Sequence, residues 1–277
     1  MQSIKDIKGR IKSVSETAQI TRAMELISAS KMQKASVRYN NSREYFDRIR
    51  PIVLDIVNNT TFDEPVRYLS VRPGKKAYLV IGSDRGLSGD YNHSIVSFVA
   101  EHTDPDAAFL CVGAAIYTAV RSIRTDVTLA ECSSEGKLED ARLLAADLMC
   151  AFDEGRYTEI SVVYTSMVSK SRQSCRSLQL LPIVPEETTD EKKNFEFAPD
   201  PKSALESLVP QYVIGLLYGC ITAGKYTEHL ERMRAMNAAT ENANALLDEL
   251  QLNYNKARQE KITTELTELS SGLIDND

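Results

Sequence analysis

A glycine-rich turn is the first place where this sequence could do chemistry. The apolar run Ala77 to Ile81 is followed by glycines at positions 82, 86 and 89. Backbone amides in such a turn can hold a phosphate when the spacing is G-x-G-x-x-G, or when the turn ends in Gly-Lys-Ser/Thr. This turn has neither pattern. We therefore interpret Asp84 and Arg85 as residues that pair or cap the turn, and we do not predict a phosphate site.

The remaining reactive side chains are dispersed. The five cysteines are odd in number, and none lies within three residues of another, which argues against both a zinc site and a disulfide framework. We interpret them as reduced thiols that are buried or inert. No serine lies in a G-x-S-x-G motif, and no carboxylate pair has a histidine beside it. We predict no catalytic residue, metal or cofactor. The cysteines and histidines are Cys111, Cys132, Cys150, Cys175, Cys220, His93, His102 and His229.

Charge is distributed unevenly along the chain. Residues 1–50 contain 11 Lys and Arg against five Asp and Glu, a net charge of +6. The whole chain carries −6, so the other 227 residues carry −12. A basic end on an acidic chain indicates a partner with negative charge, such as DNA, an anionic membrane or an acidic protein surface.

The C-terminal region predicts one very long helix. Lys225 to Ser271 spans 47 residues without glycine or proline. Its apolar positions recur at alternating intervals of three and four, a period of 3.5 that keeps one seam against a partner helix in a left-handed coil. The seam residues are Met233, Met236, Thr240, Ala243, Leu247, Leu250, Tyr254 and Ala257. Beyond Ala257 the apolar line moves to Ile262, Leu266 and Leu269.

The N-terminal region predicts the partner of this helix. Ser3 is a candidate N-cap, and a helix of about 50 residues through Val57 follows from the pattern. We expect the two helices to form an antiparallel coiled coil, with a pair of ordinary core helices as the alternative. The seam is predicted at Ile4, Ile7, Ile11, Val14, Ala18 and Thr21, after which the register shifts to Ile20, Met24 and Ile27.

The middle of the chain alternates strands with helices, which predicts a mostly parallel sheet. The fold class is α/β, a long antiparallel coiled coil with an inserted Rossmann-like domain. The segments are residues 1–58, 75–184 and 203–277. Predicted strands cover 77–81, 107–112, 127–130, 159–165 and 174–181, the last antiparallel; helices end at Glu101 and Ser122 and span 137–152. Pro210 is expected to bend the last helix or to mark its start.

Two expectations concern location. Charges interrupt every apolar segment, so we expect no run approaching a membrane span. The first residues lack the apolar core of a signal peptide, and Asp6 and Glu16 argue against a transit peptide. We expect the protein to be made and kept in a cytosol.

Several blocks of sequence resemble one family. The run Ile11 to Lys31 is similar to the gamma subunit of F-type ATP synthases, as is the turn Ser83 to Asn92. The C-terminal blocks Glu228 to Ala243, Tyr254 to Gln259 and Ile262 to Leu269 resemble the same family, in the same order. The resemblance covers nearly the whole chain. Without a transit peptide, it points to the bacterial form.

The resemblance implies a function without catalysis of its own. The coiled coil would be the central shaft of the rotor, inside a ring of three alpha and three beta subunits that carry the catalytic sites. The α/β domain would be the foot that touches the epsilon subunit and the membrane c-ring. The chain would then lie at the cytoplasmic face of a bacterial membrane, as a peripheral protein with no nucleic-acid partner.

The resemblance also implies which residues bind partners. The ring contacts on the first helix would be Arg22, Met24 and Lys31. Those on the last helix would be Arg232, Arg258, Gln259, Thr263 and Glu265. Phe195 and Phe197 would contact the epsilon subunit and the c-ring.

Two other functions remain open at this point. The chain could be a stand-alone coiled-coil scaffold whose basic end binds nucleic acid, with an affinity that falls steeply with salt. An enzyme built on a doubly wound domain is the third possibility, and the lack of a phosphate loop disfavours it.

Overall fold

The computed structural model describes residues 3–60, 66–70, 73–132, 136–169, 172–184 and 200–274. The chain divides into two compact units. The coil unit contains Met1–Ser28 and Met233–Asp277, and the sheet unit contains Ala29–Arg232. Helices α1 (Ile4–Asn59) and α5 (Pro201–Ile274) each contribute residues to both units.

The sheet unit is built on five strands in the order β3-β2-β1-β4-β5. The first four strands are parallel, and β5 pairs antiparallel with β4, which confirms the predicted edge. A short turn can join two neighbouring strands only when they are antiparallel, and the connection between β4 and β5 is short. The strands are β1 (Lys76–Ile81), β2 (Ala108–Val112), β3 (Val127–Leu129), β4 (Glu159–Met167) and β5 (Gln173–Leu181).

Helices cover both faces of this sheet, as the Rossmann-like prediction requires. Alternate residues of β1 enter different cores: Tyr78 and Val80 face one, and Leu79 and Ile81 face the other. Helices α2 (Tyr91–His102) and α3 (Ala114–Arg121) pack on the first face. Helix α4 (Leu138–Asp153), the last turns of α1 and the first turns of α5 pack on the second.

The start of α5 differs from one expectation. The helix begins at Pro201, so Pro210 lies inside it and does not mark its start. The Asp200 carboxylate accepts hydrogen bonds from the backbone N–H of Ser203 at 2.9 Å and from its hydroxyl at 2.8 Å. A capping aspartate followed by proline at the first helical position is a strong start signal, because proline has no N–H that would need a partner.

The first part of α5 also corrects the expectation about apolar runs. No charged residue lies between Leu208 and Gly224. Helix α5 is long and apolar enough to cross a membrane by length and composition alone, with an 18-residue window of mean hydropathy 1.3. Half of that window is buried. Val209, Val213 and Leu217 are fully buried in the core of the sheet unit. The apolar run from Leu208 to Gly224 is therefore interpreted as a core helix of this unit.

In the coil unit, α1 and α5 run antiparallel. One groove is lined by residues 3–7 at the start of α1 and by residues 253–264 of α5, whereas residues 15–26 of α1 lie beside 240–247 of α5. The α5 seam is the predicted one. Met236, Thr240, Ala243 and Leu250 are buried, Leu247, Tyr254 and Ala257 are partly buried, and the residues between them from 241 onward are exposed.

The predicted register shift in α1 is wrong. Ile20 and Ile27 are 60% and 56% exposed and therefore lie outside the seam. The seam continues instead through Thr21, Glu25 and Ser28, of which Ser28 is buried. Small and polar residues occupy the seam positions here at the 3.5-residue spacing. A prediction based on hydrophobicity therefore selected the apolar residues on the outer face of the helix.

Candidate partner-binding surfaces

The last turns of α5 leave the coiled-coil seam. Every residue from 258 to 267 is exposed. The next two seam positions after Ala257 are Lys261 and Thr264, and a polar seam does not drive helix pairing. Helix α1 starts at Ile4, beside this segment, so α5 residues beyond it have no part of α1 to pack against.

The four candidate residues on this segment surround an apolar pair. At 100° per residue, Arg258, Gln259, Thr263 and Glu265 lie within an arc of about 160° of the helix surface. Ile262 and Leu266 lie inside this arc and are 43% and 62% exposed. The Glu265 carboxylate is 3.5 Å from the Lys261 ammonium group. An apolar centre with a polar rim is the usual anatomy of a protein interface.

The candidates Arg22 and Met24 lie on the first helix of the coil unit. Arg22 is exposed and pairs with Glu25 at 2.9 Å. Met24 is partly buried and lies about one helical turn from both Ile20 and Ile27, at i−4 and i+3 spacing. Three apolar side chains therefore form a stripe on the outer face of α1.

Lys31 is exposed and belongs to the sheet unit. It lines a groove with Lys34 and Arg38 of α1 and with His229 of α5. The pKa of His229 is lowered to about 4, chiefly by burial and also by nearby positive charges, against the opposing effect of a neighbouring carboxylate. His229 is therefore neutral near pH 7, and the groove's positive charge comes from lysine and arginine.

Arg232 is placed differently from the other candidates. Its side chain is 11% exposed and bonds the Glu228 carboxylate at 2.8 Å. It also donates to the backbone carbonyl of Arg85 at 3.2 Å. Most of the guanidinium is thus occupied within the sheet unit, and its role in partner contact stays a prediction.

The glycine turn forms internal contacts. The backbone N–H of Ser83 donates to the side chain of Asn92 at 3.2 Å, and the Ser83 carbonyl accepts from two amides at the start of α3. Asp84 pairs with Lys225 at 3.5 Å, so the expectation that it pairs is confirmed. Arg85 contributes its carbonyl oxygen to Arg232.

The other reactive groups do not converge. Within the described residues, no three His, Cys, Asp or Glu side chains are close enough to hold a metal ion. None of the five cysteines, all of which are among the described residues, forms a disulfide. Cys150 is exposed, and its hydrogen bond to Glu154 raises its pKa, which makes it a poor nucleophile. Phe195 and Phe197 lie outside the described residues.

Comparison with known proteins decides the family. The model of a family described as ATP synthase matches residues 3–274. A curated ATP synthase gamma chain of Macrococcus caseolyticus is 36% identical over an alignment of 285 residues, which covers 98% of each chain. This chain belongs to the ATP synthase gamma-chain family. A gamma chain of Staphylococcus carnosus is 34% identical with the same coverage. The resemblance stated above is thereby confirmed, and nothing in the family supports a nucleic-acid scaffold.

Solved structures agree on the fold. The rotor of the Euglena gracilis mitochondrial ATP synthase contains a chain that aligns with a TM-score of 0.67 at 17% identity. The alignment covers 94% of this chain and 98% of that one. A central-stalk chain of the Tetrahymena thermophila enzyme aligns with a TM-score of 0.59 at 20% identity, covering 79% of this chain and 99% of that one. At such identities the likeness concerns the fold alone.

One buried charge network was missed at the level of sequence. Lys225 and Glu228 are buried, with side chains only 6% and 5% exposed, and they link α5 to the glycine turn. With Arg232 they form an i, i+3, i+7 set on one helix face beside a long apolar run. Charges at helical spacing on a face expected to be buried are the signal that could have revealed the network.

Proposed function

We propose that this chain is the central-stalk rotor subunit of an F-type ATP synthase, coupling rotation of the c-ring to ATP synthesis and hydrolysis in the beta subunits. The observation that carries the proposal is the end of α5. There the helix leaves its coiled-coil partner and exposes Ile262 and Leu266 inside a rim of polar side chains. We interpret this exposed apolar pair with its polar rim as a contact for an outer partner, and membership of the gamma-chain family supports a ring of alpha and beta subunits.

The mechanism follows from asymmetry. A single two-helix shaft presents a different side to each of three beta subunits. A partner shifts a conformational equilibrium only by its differential affinity for the states, so each beta subunit is biased differently. Rotation by a third of a turn permutes the three biases. Proton flow through the c-ring then drives ATP formation and release, and hydrolysis turns the shaft in reverse.

In this function the chain is not itself catalytic. The segments 1–58 and 203–277 act as the shaft, and 75–184 is the foot. Phe195 and Phe197 are the proposed binding residues for the epsilon subunit and the c-ring. The assembled chain lies at the cytoplasmic face of a bacterial membrane, held there through the complex. Support for the non-catalytic role comes from the glycine turn, whose amide and carbonyl groups at Ser83 bond within the protein.

The shaft contacts are tested by reconstitution. The chain is expected to co-purify with alpha and beta subunits in a 3:3:1 complex that hydrolyses ATP. The double variant Arg258→Ala/Glu265→Ala should reduce turnover on the order of tenfold, because it removes charge-assisted hydrogen bonds to the ring. Circular dichroism should show the helical content unchanged.

A matched control is available in the sheet unit. Arg156 and Glu154 form an exposed pair at 2.7 Å in the turn after α4, and their double replacement by alanine should leave turnover unchanged. Wild-type turnover in the Arg258→Ala/Glu265→Ala complex would contradict the assigned contacts. Failure of the wild-type chain to join alpha and beta subunits would contradict the function itself.

A further inference from the structure

The sheet order creates a position where related folds bind ligands. From β1 the chain proceeds through β2 and β3 toward one edge, and then returns to place β4 on the other side of β1. In open α/β sheets the crevice at the carboxyl ends of such a strand pair is the usual ligand site, because the adjoining loops separate there. In this protein, the corresponding crevice lies at the ends of β1 and β4.

Helix α5 occupies this crevice. The Tyr91 hydroxyl donates to the Gly224 carbonyl at 3.1 Å, and Tyr91 is fully buried. A Cβ atom at Gly224 would lie 3.0 Å from the side chain of Ile81, the last residue of β1, so glycine allows the close approach. The Thr227 hydroxyl lies 3.4 Å from the carbonyl oxygen of Thr165, near the end of β4. The protein's own helix therefore fills the place of a ligand.

A chain of charges crosses the same contact. The Lys225 ammonium group lies 3.1 Å from the Glu228 carboxylate and 3.5 Å from that of Asp84 in the glycine turn. The other oxygen of Glu228 bonds Arg232, which donates to the Arg85 carbonyl. Burial acts to lower the pKa of Lys225, but the two carboxylates outweigh it, so the pKa is raised and Lys225 stays charged.

Such a network restricts rotation more strongly than apolar contacts do. An apolar helix face can slide or turn and meet other apolar groups at little cost. If α5 turned about its axis, Lys225 would lose Asp84 and Arg232 would lose the Arg85 carbonyl, whereas the contacts of Glu228 lie within the helix. A buried charge that loses a polar partner is strongly unfavourable. Asp84 and the Arg85 carbonyl belong to the turn directly after β1, so the network fixes the rotational register of α5 against the sheet.

We propose that the Lys225–Glu228 network is a torque latch, through which the α/β sheet and helix α5 turn as one body. This role rests on the rotor function proposed above and assigns Lys225, Glu228 and Asp84 as positioning residues within it. The latch lies where the sheet meets α5, so rotation imposed on the sheet is passed to a helix that continues to Ile274. The residues act on coupling and have no part in the chemistry of ATP.

The test uses the complete ATP synthase reconstituted in lipid vesicles. The variant Lys225→Met/Glu228→Gln removes one positive and one negative charge at nearly constant volume, and the amide oxygen introduced at position 228 can still accept from Arg232. We expect ATP hydrolysis to continue while protons pumped per ATP fall several-fold. Amide hydrogen exchange in residues 83–90 should become faster. The charge-preserving variant Lys225→Arg should retain most of the wild-type pumping.

The control removes a partly exposed ion pair from the sheet itself. Lys76 and Glu159 are 3.1 Å apart with side chains 42% and 32% exposed, and Lys76→Met/Glu159→Gln should pump like wild type. Unchanged pumping in the Lys225→Met/Glu228→Gln complex would overturn the latch. So would loss of assembly in that variant, because the network would then be a folding element. If the wild-type chain itself does not assemble, that result contradicts the rotor function and not the latch specifically.

Discussion

The hydroxyl groups of Thr21 and Thr240 are hydrogen-bonded at 2.8 Å across the seam of the coil unit. The two residues are 219 positions apart in the sequence. Each hydroxyl also lies within hydrogen-bond distance of a carbonyl on its own helix, Ala18 for Thr21 and Met236 for Thr240. A polar pair in the seam specifies register, because a shifted alignment would separate the two hydroxyls.

The Thr21–Thr240 pair predicts a non-additive mutational pattern. Thr240→Val should lower the free energy of unfolding by about 1 kcal/mol, since it leaves a half-buried hydroxyl with one partner fewer. Thr21→Val/Thr240→Val should lie close to wild type, because both polar groups are then removed together. Urea denaturation of the four proteins of this double-mutant cycle measures the coupling. Simple addition of the two single effects would contradict the assigned pair.

Leu250 and Leu266 should separate stability from binding. Leu250 is 4% exposed in the seam, and Leu250→Ala should cost about 2–4 kcal/mol of stability through lost burial and a cavity. Leu266 is 62% exposed, so Leu266→Ala should change stability by less than about 0.5 kcal/mol. Thermal denaturation of the isolated chain measures both.

Association with the ring should depend on Leu266 instead. Leu266→Ala is expected to weaken association with alpha and beta subunits although the chain stays folded, as pull-down with the purified ring would show. Leu252 is exposed to a similar extent, 63%, and provides the matched control. If Leu252→Ala weakens the association as much as Leu266→Ala does, Leu266 has no special contact.

His229 should make stability depend on pH. Its pKa in the folded protein is about 4, against an ordinary 6.5, chiefly because burial disfavours the charged form. Between these values the unfolded chain binds more protons at this residue than the folded chain does. The stabilising contribution is therefore complete above pH 6.5 and is lost as the pH falls toward 4.

The size of the effect can be isolated by substitution. Over that interval the wild type should lose about 2 kcal/mol relative to His229→Gln, allowing for partial solvent screening. Chemical denaturation at several pH values measures this difference, and the variant cancels the contribution of the many carboxylates that titrate in the same range. Parallel pH profiles for the two proteins would contradict the assignment.

Gly82 and Gly86 offer a contrast within one turn. A Cβ atom at position 82 would lie 2.4 Å from the Cβ atom of Ile116, which neither rigid segment can accommodate. Gly82→Ala should therefore destabilise the protein by about 1–3 kcal/mol. At Gly86 no atom lies within 4 Å of the same position, so Gly86→Ala should be nearly neutral. Melting temperatures of the two variants give the comparison, and equal values would refute it.

The coil and the sheet were predictable because their signals are local in the sequence. Strands β1 and β4 are short apolar runs, which is typical of parallel strands buried on both faces. The α5 seam from Met236 to Ala257 repeats with the period that one buried face imposes on a helix. The same reasoning failed at Ile20 and Ile27, which satisfy a helical period but lie on the outer face. Periodicity shows that a helix has an apolar face, and it does not show whether that face meets the chain's own partner.

The sequence by itself determined the family, the two long helices, the five strands with their antiparallel edge, and the lack of a known phosphate motif. Only the tertiary structure decided how residues far apart in the sequence pair. Lys225 and Asp84 are separated by 141 positions, and their contact depends on α5 entering the crevice beside β1. The cost of burying a charge is settled by its neighbours in space. The helical spacing of Lys225 and Glu228 could indicate a buried charged face, but it could not identify Asp84 as the partner of Lys225.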